Sequence, residues 1–195
     1  MRVNRLLLED FRNYCGEAVE FDPVCNVIWG ENAQGKTNLL EAICCLACGK
    51  SPRTRSDREL IRFGAQGFRV EGGITSRDRD FCSRVEVFHG RKKKITVNGV
   101  TARTSAALSQ VLNTVFFAPE DLQIIRAGAV ERRRFMDVSL CQLRPRYAEA
   151  LGEYHRLYEH KTRILRDSEE KPDLLAILPE FNRRMAEMGA VIIHY

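Results

Sequence analysis

No apolar run in this 195-residue chain approaches the roughly 20 residues that a membrane-spanning helix needs, and the opening MRVNRLLLEDFRNY breaks into charges before a signal-peptide core can form. A cytoplasmic chain with no membrane partner is expected. An even, export-style set of cysteines is also missing. There are 7, so reduced thiols are the default rather than a disulfide framework. Cys45 and Cys48 form one CxxC with Cys44 beside them, but there is no second CxxC and no HExxH. His155 and His160 lie five apart and share no helix face, so no metal site is expected from the histidines. The cysteines read as small buried hydrophobes, with a redox or metal pair as the other reading. Repeats and low-complexity stretches are lacking, and no aromatics interleave with the basic segments to make a stacking platform for single strands. The net charge of +5 is compatible with a polyanionic partner and does not demand one.

What is present suits a globular chain, 44% hydrophobic and long enough for one domain or a domain with an appendage. Val3 to Leu8 and Ala18 to Phe21 read as strands joined by a polar turn, and CNVIW reads as a third ending at Gly30. The segment after Lys36 is apolar nearly all round, a helix buried on a sheet that stops at Gly49 with Pro52 beyond. From Phe68 to Ala102 the period becomes two, and Asn98-Gly99 between β-branched residues signals a tight hairpin. This block reads as an antiparallel meander, followed by a short helix capped near Thr104 and a strand, TVFFA, halted by Pro119. Arg91 to Lys94 reads as a solvated hairpin tip, with DNA phosphate contact as the alternative. Beyond Arg126, apolar residues recur at helical spacing from Tyr147 to Leu165 and from Leu174 to Ile192, which predicts a helical hairpin.

The stretch GENAQGKTNLLEAI carries the chemistry. It fills G-x-x-x-x-G-K-[ST] with Gly30, Gly35, Lys36 and Thr37, a match expected by chance in a chain this long on the order of one time in a hundred. Backbone amides from Asn32 to Thr37 would wrap a β-phosphate at the helix N-terminus, Lys36 would reach the β/γ oxygens, and Thr37 would offer a hydroxyl to Mg²⁺. The predicted nucleotide-binding set is Gly30, Glu31, Asn32, Ala33, Gln34, Gly35, Lys36, Thr37 and Asn38. GTPase motifs (NKxD, DxxG) and the LSGGQ loop are lacking. The only internal candidate for a Mg²⁺-orienting acid is VFFAPED, through Glu120 or Asp121, and Pro119 weakens it. Three readings stand: an ATP-binding head without its own hydrolytic machinery, a self-contained P-loop kinase or phosphotransferase using Asp121, and a non-enzymatic binding module that only reports nucleotide state.

LEDFRNY, GENAQGKTNLLEAI, SPRTRSDRELIRFG, ITVNG and above all APEDLQIIRAGAVERRRFMD together resemble the bacterial RecF family of recombination-repair proteins, among the ABC/SMC-like ATPases. The resemblance covers essentially this whole chain and the first half or so of such a protein. The family's signature loop and acidic-pair strand are expected in the other half. It implies an α/β, ABC-type P-loop head: a mixed sheet with an antiparallel meander as lobe I, over 1–125, and part of a helical lobe II, over 126–195. It further implies ATP and Mg²⁺ as cofactors and an ATP-dependent, clamp-like homodimer on DNA gaps and duplex junctions. RecO- and RecR-type partners, recombinase loading and a place in the SOS response follow from the same likeness. Such a chain is expected to bind ATP and hydrolyse it poorly, with no catalytic residue of its own. Arg12 and Asn13, in the FRNY turn, match positions at which related heads touch nucleotide. Arg132 to Arg134, at a helix start where cations oppose the dipole, are expected to pair with Glu120 and Asp121, with DNA contact as the other reading.

Overall fold

The computed structural model describes residues 1–54, 56–119, 121–122 and 128–195. The chain divides into two compact units, Met1–Arg132 and Arg133–Tyr195.

In the first unit, strands β1 (Arg2–Phe11), β2 (Tyr14–Glu20), β3 (Gly67–Ser76), β4 (Arg79–Phe88), β5 (Lys94–Val97) and β6 (Val100–Thr101) form one sheet in the order β2-β1-β3-β4-β5-β6. Every pairing among the described residues is antiparallel. The period-two pattern sets the register. Leu8, Val70, Val85 and Ile95 stand opposite one another across four strands and are buried, while the next row, Glu9, Arg69, Glu86 and Lys94, alternates in charge. Arg69 reaches Glu9 at 2.8 Å and Glu86 at 2.9 Å, so the polar face is laced by cross-strand pairs while the apolar face is free to pack. A slip of one residue would exchange the two rows.

Helix α1 (Lys36–Cys48) joins that apolar face: Leu39, Ala42, Cys45 and Leu46 share one buried cluster with Leu6, Leu8, Phe68, Val70 and Val85. The helix ends as its sequence predicts, with Gly49 at φ 68° and its N–H on the Cys45 carbonyl at 2.8 Å. The tight-turn signal also holds, since Asn98 (φ 49°) and Gly99 (φ 78°) both adopt positive φ between β5 and β6.

Three expectations need correction. CNVIW and TVFFA do not join the sheet; Val27, Trp29, Val115 and Phe117 are exposed, and a strand without a neighbour has nothing to satisfy its ladder or cover its side chains. The mixed character expected of the sheet is therefore not seen among the described residues. The cationic tip is only partly solvated, because Lys93 turns inward and donates to Asp57 Oδ2 at 2.8 Å and to the Gly49 carbonyl, placing an ammonium at the C-terminus of α1. The short helix α2 (Ala106–Ser109) begins two residues after Thr104 with no side-chain cap.

Helix α3 (Ala129–Leu143) begins in the last residues of the first unit and continues in the second, where it leads to α4 (Pro145–Asp167) and α5 (Leu178–His194), and the last two form the expected hairpin. Arg184 bonds Glu153 at 2.7 Å and Lys161 bonds Asn182 at 2.6 Å between them. Of the predicted α4 stripe, Tyr147 is buried, Leu151 and Tyr154 are half-buried, and Tyr158 and Leu165 are exposed, while Leu157, outside that stripe, is buried; α5 buries no residue fully. Two helices cover one side of each other and leave much of both stripes half-exposed. Tyr147 donates to Asp137 of the RRRFMD stretch at 2.5 Å.

Candidate nucleotide site

The site grows from two backbone features. β1 ends at Phe11, and the chain reverses over Arg12 (φ 54°) and Asn13 before β2 starts at Tyr14. Separately, residues 30–35 form a loop that runs into α1, exposed from Gly30 to Gln34 and buried at Gly35, with positive φ at Gly30 (142°), Ala33 (66°) and Gly35 (101°). Holding a non-glycine residue such as Ala33 there costs on the order of 1 to 2 kcal/mol, a strain the rest of the loop must support.

The two features interlock. A Cβ on Gly35 would stand 2.6 Å from Asn13 Nδ2, so any other residue would push the Asn13 amide aside as well as strain the backbone at φ 101°. Asn13 Nδ2 donates to the Gln34 carbonyl at 3.2 Å, and the Tyr14 hydroxyl donates to the Gly35 carbonyl at 3.2 Å. Burial raises the Tyr14 pKa, with Glu17 adding to it, so that proton stays on its oxygen. Helix α1 starts at Lys36 with no side-chain cap and no acidic residue in its first turn, so its positive end is left uncompensated. Lys36 Nζ donates to the carbonyls of Gly30 at 2.9 Å and Glu31 at 2.5 Å, which places the ammonium on the loop. Thr37 is exposed at the second position of the helix, and Asn38 bonds Asn13 Oδ1 at 2.8 Å. Glu31, Asn32, Ala33 and Gln34 line the exposed loop itself. A loop with positive φ at three positions, a helix dipole end and an ammonium lie together here, a set suited to a triphosphate, and the exposed Thr37 hydroxyl suits an accompanying hard cation.

Arg12 is drawn inward. Its Nε and Nη2 grip the two oxygens of Glu41 at 2.9 and 2.8 Å, and Nη1 takes the Glu59 carbonyl at 2.9 Å. Glu41 has no exposed surface. It also accepts from Ser51 at 2.5 Å and Arg53 at 3.1 Å. Burial alone would push its carboxyl up, but the hydrogen bonds from Arg12 and Ser51 and the two guanidinium charges outweigh it and hold the pKa below the usual value. The Arg12 pKa is raised, chiefly by the hydrogen bond to Glu41. Sequence reading missed Glu41, Tyr14, Ser51 and Arg53. The signal was available: a glutamate inside a helix apolar nearly all round must find a cation.

Of the kinase reading, Glu120 lies outside the described residues, as does its expected pairing with the arginines. The Asp121 carboxylate accepts the Ala118 N–H at 2.7 Å and closes a local turn, with no paired strand ahead of it. Among the described residues no cluster of acids, histidines and cysteines is shaped for a metal. Cys44 and Cys45 are buried; burial pushes the Cys44 thiol up to about 12 and Cys45 further. At pH 8 the Cys44 thiolate fraction is then on the order of one in ten thousand. Iodoacetamide at pH 8 is expected to label the exposed Cys15 and Cys25 within minutes and to leave Cys44 and Cys45 unlabelled until urea is added, read by peptide mass spectrometry.

A phosphate-type loop running into an uncapped helix that packs on the sheet marks a P-loop fold, and superposition on RecF and SMC ATPase heads places it in the ABC-type head class. The chain belongs to the family described as AAA domain, whose model matches residues 5–176. It is 37% identical over 193 residues to the DNA replication and repair protein RecF of Acetivibrio thermocellus, covering 99% of this chain and 52% of that one. It superposes with TM-score 0.87 and 32% identity on the structure of the recombination mediator protein RecF with ATP in the RecFOR pathway, over 98% of this chain and 52% of that one. An SMC ATPase structure, studied for ATP-driven dimerization and DNA-stimulated activation, shares the fold at TM-score 0.55 and 21% identity, over 70% of this chain and 98% of that one. The likeness to RecF read from the motifs is thus borne out, and the chain spans about half the length of the curated relatives it matches.

Proposed function

We propose that this chain is the ATP-binding part of a DNA replication and repair head. Residues from Gly30 to Asn38 hold the triphosphate: loop amides on the β-phosphate, Lys36 on the β/γ oxygens, and the Thr37 hydroxyl on Mg²⁺. Magnesium would supply charge neutralisation between phosphates. Arg12 serves the site by bracing the turn through Glu41. Residues 1–125 form lobe I and 126–195 belong to lobe II. The complete protein works in the cytoplasm as an ATP-dependent, clamp-like dimer on DNA gaps and junctions, loads recombinase with RecO- and RecR-type partners, and serves recombinational repair and the SOS response. The observation that carries the ATP reading is the uncapped helix behind a loop of positive-φ residues, in a chain 32% identical to a RecF whose structure is named with ATP. Calorimetry with ATP and Mg²⁺ tests it: saturable binding is expected, with turnover far below the roughly 1 to 100 per second of kinases. No heat of binding on folded protein sinks the ATP reading, and phosphoryl transfer at kinase rates restores the phosphotransferase. On the complete protein, ATP-independent binding to gapped DNA would remove the clamp.

A further inference from the structure

We propose that Asn13 and Tyr14 are positioning residues that aim the loop amides of Gly35 and Lys36 at phosphate by holding the carbonyls on the far side of the same peptide planes. This deepens the ATP-binding reading and rests on it. No peptide bond here is cis, so the carbonyl and N–H of each plane point in opposite directions. With Asn13 Nδ2 on the Gln34 oxygen, the Gly35 N–H faces away from the FRNY turn. With Tyr14 Oη and the Leu39 N–H both on the Gly35 oxygen, the Lys36 N–H is fixed likewise. Glycine at 35 is what makes a clamp necessary: it admits the 101° φ that the close approach requires, and it also leaves the 34–35 peptide free to rotate.

The orientation of the Asn13 amide is itself determined by a relay that starts from a group unable to accept. Arg53 Nη1 donates to Asn38 Oδ1 at 2.9 Å, so Asn38 presents its Nδ2 to Asn13 Oδ1 at 2.8 Å, and Asn13 is left with its NH₂ toward Gln34. The turn that carries Asn13 is pinned by the paired Arg12–Glu41 bonds one residue earlier. Asn13 and Tyr14 thereby set the direction of the amides without touching the ligand.

The test uses the 195-residue chain, with calorimetry against ATP and against inorganic tripolyphosphate, and ¹H–¹⁵N spectra without ligand. Asn13→Ala is expected to weaken both ligands by the same factor, about tenfold, and Tyr14→Phe by about threefold, the loss of one oriented hydrogen bond or part of one. In ligand-free spectra the Gly35 amide is expected to shift in the first variant and the Lys36 amide in the second. Unchanged affinities, unchanged amide resonances, or a loss confined to ATP each overturn the proposal, the last because it assigns Asn13 to the nucleoside. Should Asn13→Ala fail to fold, Tyr14→Phe, which removes a single oxygen, decides through the Lys36 amide and the threefold loss. If wild type binds neither ligand, the ATP reading fails; if it binds and Lys36→Ala does not, while both variants match wild type, only this inference fails.

Discussion

Lys36→Ala is expected to lower ATP affinity by at least about 100-fold, equivalent to roughly 2.7 kcal/mol, while leaving thermal stability within about 0.5 kcal/mol of wild type. The size follows from what the ammonium exchanges. Its Nζ sits on two neutral carbonyls, Gly30 and Glu31, and a triphosphate would replace them with anionic oxygens. The small stability effect follows from position, because Lys36 stands at the first position of α1, outside the buried cluster, and its two hydrogen bonds to the loop carbonyls are exposed. Titration calorimetry and thermal unfolding on the same samples check both halves. Equal affinities in the two proteins would remove the loop from the function altogether.

Glu41→Ala is expected to cost about 3 to 5 kcal/mol, a large share of the stability of an ordinary domain, and to abolish ATP binding with it. The carboxylate, at 0% exposure, holds Arg12, Arg53 and Ser51 together, and its loss leaves the half-buried Arg12 guanidinium without its paired acceptor. A double-mutant cycle with Arg12→Ala should be sub-additive, the double variant losing less than the sum of the two single losses, since the second deletion removes the orphaned charge. The pH dependence has a definite sign. The folded-state pKa of Glu41 lies below its usual value, so its contribution is complete above the unfolded carboxylate pKa near 4.3 and is lost as pH falls through the lower folded value. Urea unfolding at pH 7 and between pH 4 and 3 checks this: wild type should lose stability on acidification more steeply than Glu41→Gln. Parallel losses would mean that other carboxylates govern acid unfolding.

Much of this molecule was legible one segment at a time. The meander from Phe68, the Asn98-Gly99 turn, the Gly49 cap and the α4–α5 hairpin all depend on residues within a few positions of one another, where periodicity and backbone preference act directly. The two strands that failed, CNVIW and TVFFA, have the right side chains, but a strand exists only by pairing, and no local property of Val27 or Phe117 supplies a neighbour. Lys93 escaped the same way. Its sequence neighbours make a cationic tip, yet Asp57 and the end of α1, far off in sequence, draw it in.

By itself, the sequence determined where a phosphate-type loop lies, that a helix follows it, and which residue supplies its ammonium, since six consecutive positions from Gly30 to Gly35 and the next two encode that chemistry locally. Only the tertiary structure decided what holds the loop in shape: Asn13 and Tyr14 on its carbonyls across 21 residues of chain, and Arg12 on Glu41 across 29. Those partners are chosen by the sheet register that carries the FRNY turn to the start of α1. Hydrogen bonds between such distant residues leave no periodic trace in a single sequence.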